Sequence, residues 1–157
     1  MSEILSLSNQ NNHSAAVSPR KVGEIGEELA ARFLEKQGYR LVLANFTVPI
    51  GRNQRGVSVT GEIDLIALDK DVLCFVEVKT RSSDEFASPL AAVNLRKQRQ
   101  IIRTAKVYRK IFRVSEIKFR YDVVSIVLVE NSRPKIELFK GFWTEDKFYK
   151  KVWFEDF

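Results

Sequence analysis

The chain has a single histidine and a single cysteine among its 157 residues. His13 sits in a polar N-terminal stretch and Cys74 inside an apolar run. A Ser-His-Asp or Cys-His nucleophile therefore has no support, no Cys/His cluster can hold zinc, and no internal disulfide can form. Cys74 reads as a small buried apolar residue. No uninterrupted apolar run approaches the roughly 20 residues of a membrane-spanning helix. The opening stretch MSEILSLSNQNNHS lacks the basic segment and long apolar segment of a secretory leader. A soluble, cytoplasmic protein is the expectation.

What is present describes an ordinary globular chain: 45% hydrophobic, 29% charged and 11% aromatic residues. This length points to one domain with a sizeable core. Residues 1–17 are rich in Ser and Asn without periodicity and are expected to form a disordered tail ahead of a single domain over 18–157. The net charge of +6 permits a polyanionic partner without requiring one.

The stretch SPRKVGEIGEELAARFLEKQG predicts a helix, with Ser18 as N-cap, Pro19 at the first helical position and Gly38 at the C-terminal end. Val22, Ile25, Leu29 and Phe33 form its expected apolar stripe. Glu24, Glu28 and Glu35 share a solvated face with Arg32, whereas Glu27 falls in line with Ala30, Ala31 and Leu34. A carboxylate there is either at a rim or in use.

YRLVLANF predicts a short strand, and the Gly, Pro and Asn content of Thr47–Thr60 predicts a loop, whose Arg52 and Arg55 either touch a polyanion or, as the default account, keep the loop soluble. GEIDLIALDKDVLCFVEVKT predicts a β-hairpin. Centring its turn between Lys70 and Asp71 pairs positions that sum to 141, so Asp64 faces Glu77 and Glu62 faces Lys79. Glu62, Asp64 and Ile66 should share one face, and Ile63, Leu65 and Ala67 the other. A long helix from about Ser88, the strand KFRYDVVSIVLVE, the turn NSRP and the strand KIELFKGF follow, and the C-terminal TEDKFYKKVWFEDF reads as a short helix or packed tail. Helix, three strands, helix and two strands make an α/β chain with a mixed sheet flanked by helices.

The hairpin carries the chemistry. Two opposed carboxylates repel, and either of two arrangements offsets that. Lys79 can neutralise them in a salt-bridged surface network. A hard divalent cation can do so as well, and an oxygen-only donor set without His or Cys suits Mg²⁺ or Mn²⁺. An adjacent ammonium then makes sense in phosphodiester hydrolysis, where it stabilises developing negative charge.

Asp64 followed thirteen residues later by Glu77-Val78-Lys79 resembles the motif of the PD-(D/E)xK nuclease superfamily. More narrowly, GEIGEELAARFLEKQGY, GEIDLIA, FVEVKTR and RYDVV, in this order over about residues 21–125, resemble the YraN family of uncharacterised bacterial proteins. That family is related to archaeal Holliday-junction resolvases. The resemblance implies a restriction-endonuclease-like fold, Asp64 and Glu77 as metal ligands, Lys79 as the catalytic lysine, and Glu27 as the helical glutamate completing the metal site. Ile63 stands where the superfamily motif has proline, and the Thr47–Thr60 segment is longer than is common in the family.

Between Glu85 and Glu116 there is no acidic residue, yet the segment holds Arg96, Lys97, Arg99, Arg103, Lys106, Arg109, Lys110 and Arg113. Leu95, Ile101, Ile102, Ala105 and Phe112 are its expected buried positions. A one-sign helix accepts like-charge repulsion that a phosphate backbone would relieve; a solvated face is the plainer account. Lys97 and Gln98 match a KQ pair frequent in YraN-like sequences, and the resemblance implies that they lie near the site. The expected nucleic-acid contacts are Arg81, Arg96, Lys97, Gln98, Arg99 and Arg103, reading backbone and shape rather than bases.

Together these features lead to the expectation of a Mg²⁺-dependent DNA endonuclease of resolvase-like type, acting on branched or flapped DNA. The alternatives are a nucleic-acid-binding module with the fold but no efficient cleavage, and a protein-interaction domain whose basic helix meets an acidic partner. A homodimer is compatible with the aromatic C-terminal segment.

Overall fold

The computed structural model describes residues 17–83 and 88–148. The expected tail over 1–17 and the end of the C-terminal segment lie almost wholly outside this range. Helix α1 spans Pro19–Lys36 and strands β1, β2 and β3 span Arg40–Arg52, Ser58–Asp69 and Val72–Ser82. A 3-10 turn at Pro89–Ala92, helix α2 at Leu95–Ile111, and strands β4 (Phe119–Leu128) and β5 (Lys135–Trp143) complete the order. The five strands form one sheet in chain order, antiparallel except for the β3–β4 pair, which is parallel. Helices α1 and α2 flank it, which is the α/β mixed sheet expected from the sequence.

The caps of α1 are those the sequence implies. The Ser18 side chain accepts from Lys21 N–H, and Gly38 takes φ +94° past the last turn. The buried stripe, however, is Gly26, Ala30 and Leu34, one position along from the expected Val22, Ile25, Leu29 and Phe33, which are only half-buried. The reason is Gly26: a Cβ there would collide with Thr80 Oγ1, so the helix backbone rests directly on β3 along the face with no large side chain. Helix α2 begins later than expected, capped by Asn94 rather than Ser88, which instead caps the 3-10 turn. Its ends, Leu95 and Phe112, are about half exposed; Gln98, Ile101, Ile102, Thr104, Ala105 and Tyr108 are buried.

The expected Thr47–Thr60 loop is mostly strand. β1 runs on through Arg52 and turns back at Asn53–Val57, so β1 and β2 form a long hairpin arm. Its Pro49 is tolerated because β1 is the edge of the sheet. Two bulges, at Leu41/Leu43 and Pro49/Gly51, bend the arm.

Two core layers sandwich the sheet. Phe75, Ile66, Tyr121 and Val123 pack toward α2, while Cys74, Val76, Val78 and Leu65 pack toward α1. At the turn end of the β2–β3 hairpin the strands are tied by Asp122, which is fully buried. It takes a two-pronged contact from Arg120 (Nε 2.7 Å, Nη2 3.0 Å), a hydrogen bond from Tyr39 Oη (3.1 Å) and one from Gly141 N–H (2.9 Å). Arg120 also reaches Asp69 at 2.9 Å, which Lys140 meets at 3.2 Å. The RYD of RYDVV thus pins β2, β4, β5 and the entry to β1. Replacing Asp122 by alanine strands a mostly buried guanidinium and is expected to lower unfolding free energy by about 3 kcal/mol or more, measured by urea denaturation.

Candidate active site

The hairpin register is the expected one: Asp69–Val72, Leu68–Leu73, Ala67–Cys74, Ile66–Phe75 and Leu65–Val76 all sum to 141. Pairing stops there, so Glu62 and Lys79 are not ladder partners. β3 continues beside β4 to Ser82, and β2 continues beside β1 to Ser58. The sheet therefore forks above Leu65 and Val76. The fork also breaks the expected alternation: Ile63 joins the α2-side core and Leu65 the α1-side core. Two residues of one regular strand share a face, so β2 turns as it leaves β3.

Asp64 sits at the fork. Its Oδ2 accepts from Val78 N–H at 2.8 Å, standing in for the ladder partner that β3 has lost. Burial, then the facing Glu77 carboxylate, push the Asp64 carboxyl up from 3.8 to about 7, against the opposing pulls of Val78 N–H and Lys97. Glu77 is only 3% exposed. Its Oε1 meets Lys79 Nζ at 3.2 Å and Lys97 Nζ at 3.7 Å. Among the described residues no N–H or ammonium reaches its buried Oε2, and the Asp64 carboxyl, which burial and Glu77 hold protonated, lies within hydrogen-bonding reach of Glu77. Once both carboxyls ionise, that acceptor has no donor and is costly to bury.

Glu27 is half-buried on α1, delivered to the same region by the close rest of Gly26 on Thr80. Its carboxyl is raised by burial, by Asp64 and by Glu62, and eased by a hydrogen bond from Asn45. Asn45 adopts φ +52° within β1, a left-handed conformation that Asn tolerates better than most residues. Neither Asn45 nor Glu62 was a sequence-level candidate. An amide in an otherwise apolar strand was the available signal for the first.

Of the expected nucleic-acid contacts, Arg96, Arg99 and Arg103 are exposed on α2. Lys97 instead turns inward to Glu77. Gln98 is buried, its amide donating to Val93 C=O at 2.9 Å, and so fixes the start of α2 rather than facing outward. Arg81 is half-buried two residues beyond Lys79 on β3 and donates to its neighbour's Ser82 carbonyl at 3.1 Å. The chain thus brings Asp64, Glu77, Lys79 and Lys97 together, with Glu27 within their field and the outward arginines on another face of α2.

A stability test follows. A carboxyl whose folded pKa is raised favours the native chain fully below its ordinary value, and that contribution fades as pH rises through the folded value. From pH 3.8 to about 7 stability therefore falls progressively, because the unfolded chain has given up this proton while the folded chain still holds it. Asp64→Asn keeps an acceptor for Val78 N–H and presents a donor to Glu77. In chelator at pH 8 this variant should unfold at higher denaturant than the parent, by on the order of 2 kcal/mol, with the gap closing at pH 4. Equal stability at both pH values would count against the buried pair.

Residues 26–126 match the sequence profile described as uncharacterised protein family UPF0102. A UPF0102 protein of Acetivibrio thermocellus is 41% identical over 122 residues, 78% of this chain and 82% of that protein. UPF0102 protein Cphamn1_0017 of Chlorobium phaeobacteroides is 40% identical over 122 residues, 78% of this chain and 89% of that one. A solved structure titled "Crystal structure of SSO0001" aligns with a TM-score of 0.36 at 13% identity, covering 92% of this chain and 63% of that one, too loose a likeness to carry weight. The chain belongs to the uncharacterised protein family UPF0102, the family of the YraN-type blocks, and Glu27, Asp64, Glu77, Lys79 and Lys97 all fall within the matched region.

Proposed function

We propose that this protein is a metal-dependent DNA endonuclease of Holliday-junction-resolvase-like type, hydrolysing phosphodiester bonds in branched DNA. The observation that carries the reading is the pairing of Asp64 with a buried Glu77, two carboxyls that together receive no cation at Glu77 Oε2 among the described residues, beside the Lys79 ammonium. Mg²⁺ is commonly held by one or two carboxylates, with water and substrate phosphate completing its shell. Asp64 and Glu77 fit that requirement, with Glu27 as a third carboxylate in electrostatic reach. Bound there, Mg²⁺ or Mn²⁺ would supply positive charge that polarises the scissile phosphate and activates a water.

The protein's own groups divide the remaining work. Val78 N–H orients the Asp64 carboxylate, and Lys97 holds Glu77 Oε1 from the side of α2. Lys79, about a quarter exposed, reaches the surface where a phosphodiester would lie and is placed to stabilise its developing negative charge. Arg81, Arg96, Arg99 and Arg103 offer the backbone contacts. Resolving a junction takes two cuts, so the reading includes a homodimer.

The rival reading is a nucleic-acid-binding module without efficient cleavage, which the same exposed arginines of α2 would serve. Among the described residues no three Asp, Glu, His or Cys side chains are gathered closely enough to hold a metal as they stand. No described helix is long and apolar enough to cross a membrane, so neither reading involves a helical span.

Labelled linear, flap and four-way-junction DNA incubated with Mg²⁺ or Mn²⁺ should be cut by the parent chain. Asp64→Asn and Lys79→Ala should each lower the rate by about 100-fold or more. Either metal should also raise the melting temperature of the parent and not that of Asp64→Asn. Cutting that survives both substitutions would overturn the assignment, and salt-sensitive binding without any cutting would establish the rival.

A further inference from the structure

The β1–β2 arm leans across the first half of α2 and is fixed there at three points. Gln100 Nε2 donates to Thr60 C=O at 3.1 Å, and Arg103 Nη2 donates to Ile50 C=O. At Gly61 the strand backbone lies so close to Thr104 that a Cβ would collide with its hydroxyl. Gly51, at φ +140° in the Pro49/Gly51 bulge, leaves room for the Arg103 guanidinium that a side chain would occupy. Arm and helix enclose an open pocket of about 370 Å³, to which the arm contributes Arg52 and the helix Arg96, Arg99 and Arg103.

Among the described residues, no acidic side chain lines this pocket, and none of its four arginines pairs with a carboxylate. Arg52 donates to Gly56 C=O, Arg103 donates to Ile50 C=O, and Arg99 lies over the Phe148 ring at 5.5 Å. Three other groups of converging charges are balanced: Arg120 and Lys140 against Asp69 and Asp122, Lys79 and Lys97 against Glu77, Arg109 against Glu145. Here Arg96, Arg99 and Arg103 repeat at i, i+3 and i+7 on one helix face, and a fourth guanidinium arrives from another element. Such like-charge neighbours destabilise a helix. Guanidinium forks match the oxygens of a phosphate two at a time.

We infer that this pocket is a phosphate seat, in which the β1–β2 arm and α2 grip one phosphodiester group of a nucleic-acid backbone apart from the Asp64–Glu77–Lys79 centre. The inference deepens the nucleic-acid reading above and rests on it. It makes the arm half of a clamp, choosing the polyanion contact over the solubilising role that the sequence left as the default, with Arg52 as its decisive residue.

The test compares two arginines of the same arm. Arg52 lines the pocket, whereas Arg55, at the exposed turn, does not. Binding of a fluorescein-labelled DNA duplex is followed by anisotropy over a salt series in EDTA, so the readout needs no hydrolysis. Arg52→Ala should weaken binding about tenfold and lower the slope of log affinity against log salt by about one. Arg55→Ala should change affinity less than about twofold and leave the slope in place. Because Arg52 also holds the turn through Gly56, Arg96→Ala serves as a second variant; it makes no hydrogen bond or ion pair with described residues and should reproduce the Arg52 loss. Equal effects of Arg52→Ala and Arg55→Ala, or no effect of Arg96→Ala, would overturn the seat, as would absence of duplex binding by the parent. Binding that follows the expected pattern in a chain that cuts nothing would keep the seat and remove the endonuclease reading.

Discussion

The arrangement depends on the point where β2 parts from β3. Up to Leu65 and Val76 the two strands satisfy each other's backbone groups. Beyond it β3 must find partners elsewhere, and the first N–H it presents is taken by the Asp64 side chain. That one bond places a carboxylate against Glu77, a second carboxylate that β3 alternation has already turned toward α2. Separating the strands and concentrating negative charge are thus the same structural event. A regular ladder continued through this point would have paired backbone with backbone and left Asp64 free to turn to solvent.

The two ends of the hairpin treat buried acid in opposite ways. At the turn end, Asp122 is fully buried but receives donors from Arg120, Tyr39 and Gly141. That end is compensated and holds the strands together. At the fork, two ammoniums crowd one oxygen of Glu77 while the other oxygen has none. A chain able to compensate a buried carboxylate so fully in one place has not done so in the other. Once both carboxyls ionise that oxygen has no donor, and native structures rarely leave a buried polar atom so unless something else uses it. This contrast within one sheet supports an external occupant better than either end would alone.

The legible parts of the sequence were those governed by local periodicity and turn chemistry. The caps of α1, the order of elements and the register of the β2–β3 hairpin follow from Ser18, Pro19, Gly38 and the Asp69–Val72 turn, each acting within a few residues. The facing of Asp64 and Glu77 followed from that register. What could not be read depends on contacts between distant segments. Gly and Pro marked Thr47–Thr60 as a loop, but at an edge strand Pro49 costs no ladder bond and Gly51 serves close packing under Arg103. The stripe of α1 was misplaced because burial there follows the small Gly26 rather than the larger apolar residues. The turning of β2 at Ile63 was hidden because alternation assumes a straight strand. Lys97 does lie beside Glu77, near the site where the KQ resemblance places it, whereas the Gln98 amide is spent on Val93 C=O, a contact that no spacing along the helix announces.

Helix α2 is where these long-range effects meet. At 100° per residue, Lys97 lies on a different flank from Arg96 and Arg103. One flank supplies a counter-charge to Glu77; the other carries arginines with no carboxylate among the described residues. On the proposed function, an ammonium that neutralises a buried acid would also shield an approaching polyanion from it. The uncompensated flank would then do the attracting, over distances of about a Debye length. Adjacent turns of one rigid helix fix both tasks relative to each other, so a backbone held on the outer flank would meet the fork in one register. The hairpin arm, bound to the same helix through Thr60, Gly61 and Ile50, extends that fixed relation to a second element. On this argument the basic composition of α2 is a division of labour between inward and outward charge, and the net charge of +6 is only its sum.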